Sequence, residues 1–447
     1  MNRLNRLIIL LVFGPAMICA GIACNRQVVP ASQINVRFGS YPSSEEISTY
    51  IIQLEKLHPD YADIYEIGAS WEKRPILAMR ITDEKSGDPE KKPAMYMDAG
   101  HHGNEKISVQ SALFFVTYIL DNSERDPLVA HLLKTRTLYV IPLVNPDGNN
   151  AGERTNKNPN IPVDLNRNYE YGWQAGFDKD RAMLYGGTDP FSEPETRAVR
   201  KFVLEHKNIN IALTLHSGID RLHTPGFTIQ ENFPQDQQEY DIISGEAAIL
   251  AGRNGFYSPA LSPLGIAKGG GGAGTTMAWL HANSIYAWTV EVYGDGKYPW
   301  ETVDKYNPPE KHIEDLCNRW LKPFLYYWST LPNLGLYGVK VKNDTLYITV
   351  GNDGKFPMDA LVQVWKKGQK VYYLSVDNLR ENSREIMIPL PPEELTGDFM
   401  ISLSGNTTTG PQNDIFKLSL SLSGTTWSIS TAEGTFESKL PLMNFFK

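Results

Sequence analysis

Asp98-Ala99-Gly100-His101-His102-Gly103-Asn104-Glu105 is the stretch on which the reading of the fold turns. Before it, Pro93-Ala94-Met95-Tyr96-Met97 reads as a buried strand. After it, Ile107 to Phe115 carries apolar residues at helical spacing. The segment is therefore a strand-to-helix junction, the place where open α/β sheets carry their sites. His102 and Glu105 stand three apart, so in a first helical turn they face the same way. An imidazole and a carboxylate suit zinc. Taken alone the pair says little, because H-x-x-E arises by chance and a glutamate at a helix start is ordinarily a cap.

The flanking sequence fills in the layer. Ser44 to His58 reads as a helix with a capped start. Ile64–Gly68 and Ile76–Ile81 read as strands joined by a polar turn at Trp71–Arg74. Leu138–Val144 is another strand, running into a strong turn signal at Asn145-Pro146-Asp147-Gly148. The polar run from Asn149 to Asn168 has no periodicity, and a loop of that length in a compact domain usually serves function. Pro194–Lys207, Ser244–Asn254 and Pro309–Trp328 read as helices, and Ile209–Leu215 and Ile285–Val292 as buried strands. Gly269–Gly274 is a loop, and no Lys-Ser/Thr follows it as a phosphate loop would require, so a lid is the better reading. Alternating strands and helices imply an α/β fold: a mixed, mainly parallel sheet with helices on both faces. After Pro332 helix signals nearly vanish and short strands follow, which is the pattern of a C-terminal all-β sandwich. The expected division is a signal peptide over 1–23, a tether over 24–40, the α/β domain over 41–332 and the sandwich over 333–447.

The chain has 447 residues and a net charge of −8, with both signs spread along it. No basic block is present, which argues against a nucleic-acid partner. Arg3 and Arg6 precede the short apolar run Leu7–Ala23, a signal-peptide pattern rather than a membrane span. The run ends Gly21-Ile22-Ala23-Cys24, which resembles the lipobox of bacterial lipoproteins, with Gly21 where leucine is usual. The expectation is export across the inner membrane and a lipid anchor at Cys24 that holds the protein in the bacterial envelope. With Cys19 in the signal and Cys24 lipidated, Cys317 stands alone and no intramolecular disulfide can form. A monomer is expected.

Two further residues end buried strands. His216 closes Ile209–Leu215, and Glu291 closes a run of the same kind. A charged residue at the end of an apolar strand is rarely buried without a partner. His102, Glu105 and His216 together offer a metal three ligands and leave a fourth position open, the layout of a catalytic zinc site.

With these pieces in place, the chain resembles the zinc metallocarboxypeptidases, the family of the pancreatic A and B enzymes and the regulatory carboxypeptidases. The resemblance rests on His102-Gly103-Asn104-Glu105, Asn145-Pro146-Asp147-Gly148, Arg154-Thr155-Asn156 and Val163-Asp164-Leu165-Asn166-Arg167-Asn168. It continues through Pro190-Phe191-Ser192-Glu193-Pro194-Glu195-Thr196, Leu213-Thr214-Leu215-His216-Ser217 and Thr289-Val290-Glu291, in the family's order from about Tyr41 to Leu331. It implies one zinc per chain on His102, Glu105 and His216. It implies Glu291 as the general base that takes a proton from a zinc-bound water, and Arg154 as the group that stabilises the oxyanion. It implies Asn166 and Arg167 as the grip on a substrate's terminal carboxylate, with Asp164 orienting His102. Each role suits its residue: a carboxylate can move a proton, and an arginine fork matches a carboxylate.

The implied activity is hydrolysis of the C-terminal peptide bond of peptides or proteins. Two rivals remain: a peptidase of cell-wall stem peptides or other non-standard amide bonds, and a non-catalytic peptide-binding scaffold. Asn104 stands where the digestive members carry arginine, as in the regulatory branch. No tyrosine occurs in Leu264–Gly274, where the family has one on a lid; Tyr257 is the nearest. Met277 or Thr276 falls at the base of the family's specificity pocket, and neither is acidic, so neutral terminal residues are expected. His101 is expected to be an exposed neighbour of the site.

Overall fold

The computed structural model describes residues 39–431, apart from 176–183, 220, 226–236, 253–273, 295–297, 300–303, 343–344, 357, 368, 380–381, 389–396, 408–409 and 424–425. The signal, most of the tether, Tyr257 and nearly all of the glycine-rich lid region lie outside the described residues. Among the described residues no helix is long and apolar enough to cross a membrane.

A seven-stranded sheet forms the first layer. Its strands are β1 (Ala62–Ala69), β2 (Pro75–Ile81), β3 (Ala94–Ala99), β4 (Thr137–Ile141), β5 (Ile209–His216), β6 (Leu222–His223) and β7 (Tyr286–Glu291). They run in the order β1-β2-β4-β3-β5-β7-β6. The four central strands, β4, β3, β5 and β7, are parallel, and β1, β2 and β6 join antiparallel at the edges. The alternation along β3 explains why both faces need helices. Met95 and Met97 enter one buried cluster, and Ala94 and Tyr96 enter the other.

On the first face pack α1 (Ser44–Leu57), α2 (Lys106–Asp121), α3 (Pro127–Thr135), α6 (Gln237–Leu250) and α8 (Ile313–Ser329). On the second pack α5 (Pro194–Glu205) and α7 (Thr276–Ala282). The expected capped start is present, with Ser43, one residue before the expected segment, and Glu46 closing a capping box on α1. Asn145-Pro146-Asp147-Gly148 is not a free turn but the start of a short helix, α4 (Pro146–Ala151). The Asn145 side chain caps it and Pro146 takes the first helical position; the same residues that signal a turn also start helices.

The chain leaves β3 for β4 on one side and later returns to β5 on the other, so the crevice between β3 and β5 is a topological switch point. His102 follows β3, His216 ends β5 and Glu291 ends β7. His216 and Glu291 are register partners.

From Leu334 onward every element among the described residues is a strand: β8 (Leu334–Lys342), β9 (Thr345–Asn352), β10 (Met358–Lys366), β11 (Gln369–Leu379), β12 (Asn382–Ile388), β13 (Gly397–Thr407), β14 (Gly410–Ser423) and β15 (Thr426–Thr431). They form a three-stranded sheet, β12-β9-β8, and a five-stranded sheet, β11-β10-β13-β14-β15. One buried cluster takes Leu346, Ile348 and Val350 from the smaller sheet and Val362, Val364, Ile401 and Leu403 from the larger.

A buried ion pair ties these strands to the α/β layer. Arg136, fully buried before β4, donates through Nη2 to Asp353 Oδ1 at 2.7 Å and to the Leu331 carbonyl at 2.7 Å. His131 Nε2 and Asn333 Nδ2 meet Asp353 Oδ2 at 2.9 and 3.0 Å. Burial alone would raise the Asp353 pKa, but the Arg136 charge and His131 bring it down to about 2. A carboxyl held below its unfolded value of ~3.9 gives stability that is complete above that pH and is lost as pH falls through about 2. The contribution is on the order of 2 kcal/mol. Asp353→Ala removes the partner and leaves the guanidinium buried, at a cost of about 3–5 kcal/mol. The melting temperature should fall by roughly 10 °C at pH 7. An unchanged melting temperature would show that the pair does not hold the two parts together.

Candidate active site

The segment from Gly100 to Glu105 is a tight turn ahead of α2, and Glu105 is the helix N-cap. His102 and Glu105 thus face each other across this turn and not within the helix's first turn as expected. Glu105 makes no side-chain cap bond; its carboxylate, at the positive end of α2, points instead to the histidines. Gly103 lies directly on α4, where a Cβ would stand 2.0 Å from the carbonyl carbon of Gly148. Only glycine fits there, which ties the His-Gly-Asn-Glu motif to the Asn-Pro-Asp-Gly motif through backbone contact.

His102 Nδ1 lies 2.7 Å from Glu105 Oε1, and His216 Nδ1 lies 2.9 Å from Glu105 Oε2. The two Nδ1 atoms are 3.1 Å apart. Ligand nitrogens bound to one tetrahedral zinc at about 2.0–2.1 Å sit roughly 3.3 Å from each other, so the spacing fits. Among the described residues this is the metal-capable group, with all donor atoms within 4.8 Å of one another. All three residues are buried. Burial holds the His216 imidazole below its ordinary pKa despite Glu105 beside it, which favours the neutral form a metal needs. Burial would raise Glu105, but His102 and His216 hold it far below the carboxylate range.

The long polar segment after α4 supplies the surroundings. Asp164 is fully buried and accepts from His102 Nε2 at 3.0 Å through Oδ1. That bond leaves His102 Nδ1 as the free donor atom. Asp164 Oδ2 accepts from Arg154 Nε at 3.1 Å and Nη2 at 3.0 Å. Arg154 Nη1 reaches Glu105 Oε1 at 3.3 Å, so its guanidinium borders the ligand cluster. Burial would raise Asp164, yet Arg154 and His102 hold it well below its ordinary value.

Asn166 is buried beside His216, its Nδ2 3.2 Å from His216 Nε2. Arg167 is half-buried and donates through Nη1 to the Asn166 carbonyl at 2.7 Å. Glu291 is half-buried at the sheet's end, beside His216 in register. Its backbone N–H donates to the Arg221 carbonyl at 2.9 Å. The structure therefore brings His102, Glu105, His216, Asp164, Arg154, Asn166, Arg167 and Glu291 around one crevice.

Some site residues escape the sequence reading. His101 is fully buried, not exposed. Its Nε2 lies 2.8 Å from Tyr169 Oη and 3.0 Å from Thr276 Oγ1, and its Nδ1 lies 3.4 Å from Asp98 Oδ1. Burial pushes the Asp98 carboxyl up to about 7 against the opposing bonds from Thr214 and Tyr96. The place of His101 right after a fully buried strand is the available signal. The segment 304–307 also joins the site: Ser217 Oγ donates to the Tyr306 carbonyl at 2.7 Å, and Asn307 Nδ2 donates to the Asn104 carbonyl at 2.8 Å. It thus clamps both ligand-bearing turns, and nothing in its composition announces that. Met277 Sδ accepts from Thr289 Oγ1 at 3.5 Å beside β7.

Known proteins resemble the chain over the same span. A family model described as zinc carboxypeptidase matches residues 47–321. Carboxypeptidase A4 of Mus musculus is 28% identical over 284 residues, covering 58% of this chain and 64% of that protein. Carboxypeptidase B2 of Bos taurus is 26% identical over 300 residues, covering 63% of this chain and 68% of that protein. The chain thus spans about two thirds of the length of these relatives. Among solved structures, thrombin-activatable fibrinolysis inhibitor superposes with a TM-score of 0.58 at 25% identity, over 68% of this chain and 78% of that one. Carboxypeptidase A from Helicoverpa armigera gives 0.56 at 20% identity over 66% and 76%, a likeness of fold.

Proposed function

The chain belongs to the zinc carboxypeptidase family, and from that premise we propose that it is a metallocarboxypeptidase releasing the C-terminal residue of peptides. The observation that carries the reading is the convergence of His102, Glu105 and His216 at the switch point with a carboxylate, Glu291, beside them and a half-buried guanidinium, Arg167, nearby. One zinc held by the three ligands would activate water and polarise the scissile carbonyl.

The chain's own groups do the rest. Asp164 fixes the His102 ring so that Nδ1 faces the metal position. Glu291 takes a proton and returns it to the leaving amine. Arg154, held by Asp164, offers positive charge where the carbonyl oxygen becomes negative. Arg167 and the Asn166 amide hold the terminal carboxylate, which sets the distance from chain end to cut. Met277 lies beside β7 and is not acidic, while the Thr276 hydroxyl is taken up by Asn166 and His101, so neutral apolar terminal residues are preferred. The envelope location and the anchor at Cys24 rest on the sequence of residues 1–24 alone.

The test compares peptide acids with their C-terminal amides. The free acids ending in Phe or Leu should be cut at least a hundred-fold faster than their amides, and faster than an acid ending in Lys. Arg167→Ala should slow the acid and narrow the gap. Equal cleavage of acid and amide by the unaltered protein removes the carboxypeptidase reading.

A further inference from the structure

A buried chain of polar side chains runs beneath the site from β3 to Asn166. Asn166 Oδ1 lies 2.9 Å from the Thr276 backbone N–H and 3.2 Å from Thr276 Oγ1. A backbone N–H can only donate, so the amide atom facing it must be the oxygen. The NH2 group is thereby turned away from Thr276, toward the His216 side of the crevice. Thr276 Oγ1 in turn lies 3.0 Å from His101 Nε2. The His101 ring is stacked on that of His216 at 5.8 Å between centroids, with Tyr169 Oη 2.8 Å from the same nitrogen and Asp98 Oδ1 3.4 Å from Nδ1. His101, Tyr169 and Thr276 are all fully buried, so no water competes for these bonds.

The backbone closes the same arrangement. Tyr169 N–H donates to the Gly274 carbonyl and Gly274 N–H to the Tyr171 carbonyl, each at 2.9 Å. A Cβ on Gly274 would stand 2.2 Å from the Arg167 carbonyl oxygen. The strip carrying Thr276 is therefore laid against the strip carrying Asn166 and Arg167 with no slack between them.

We propose that His101 is a positioning residue for the substrate's terminal carboxylate: by holding the Thr276 hydroxyl on Asn166 Oδ1 as a second donor beside the backbone N–H, it fixes the amide plane, with the NH2 and not the carbonyl toward the substrate. The inference rests on the reading of Asn166 and Arg167 as the carboxylate grip. A flipped amide would present an oxygen to an anion. The lock therefore shows in binding of the free acid and not in the chemical step.

The test uses the full-length zinc-loaded protein. Thr276→Val keeps volume and the backbone donor while removing the hydroxyl; His101→Leu removes the ring nitrogens. Each should raise KM for a peptide acid about ten-fold, with kcat within about two-fold and zinc content unchanged. Thr276→Ser should restore the original KM, and the double variant should be no worse than either single one. Binding of 3-phenylpropanoate, followed by calorimetry, should weaken in parallel. Unchanged KM and unchanged binding in Thr276→Val, or Thr276→Ser as impaired as Thr276→Val, or a loss confined to kcat, overturns the proposal. If the unaltered protein ignores the acid-to-amide change yet binds 3-phenylpropanoate with the expected losses, the activity reading fails and the lock stands.

Discussion

Glu291→Gln should keep the metal and lose turnover by roughly 10³–10⁵. The substitution preserves size and the strand register with His216, so the ligand cluster has no reason to rearrange. It removes a carboxylate at the sheet's mouth that can both accept a proton and surrender it. General acid–base catalysis contributes about 10²–10⁴, and lost charge stabilisation adds to it. The measurement is kcat for a peptide acid together with zinc content on the same sample. Turnover above a tenth of the original with zinc in place would mean that another residue is the base.

His216→Ala should abolish activity by a different route. It removes one of three ligands, and the Ser217 N–H that donates to Glu105 at 3.0 Å cannot replace a nitrogen lone pair. Metal affinity should fall by more than the roughly 10–100-fold typical of losing an outer partner, which is the effect expected for Asp164→Asn. The comparison is made by competition with a chelator of known zinc affinity. β5 is paired on both sides by β3 and β7, so the fold survives the truncation. A His216→Ala protein that retains stoichiometric zinc and full activity would overturn the ligand assignment.

The sequence made some of this legible and hid the rest for physical reasons. Strand ends and short spacings are local, so His102, Glu105, His216 and Glu291 were readable, and the resemblance added Arg154, Asp164, Asn166 and Arg167. The fold followed from the alternation of apolar strands with helices, whose two faces are visible in β3 itself. What stayed hidden depends on partners far along the chain. The burial of His101 is set by Tyr169 and Thr276. The helix α3 (Pro127–Thr135) went unread, although Asp126 caps it and Pro127 opens it. Helix α6 begins at Gln237, earlier than the sequence suggested. The final strands, β14 and β15, are rich in Ser, Thr and Gly, which speak for turns as much as for strands.

The ion pair between Arg136 and Asp353 also has a meaning in time. Its members lie 217 residues apart. At about 5–20 residues per second, the carboxylate is synthesised roughly ten to forty seconds after the guanidinium. Until then Arg136 lacks the carboxylate that it pairs with in the finished fold. That buried pairing is completed only when the later strands are in place. Such long sequence separations belong to slow, late closing events. The C-terminal strands thus deliver the last partner of Arg136, and a chain ending before Asp353 would lack it.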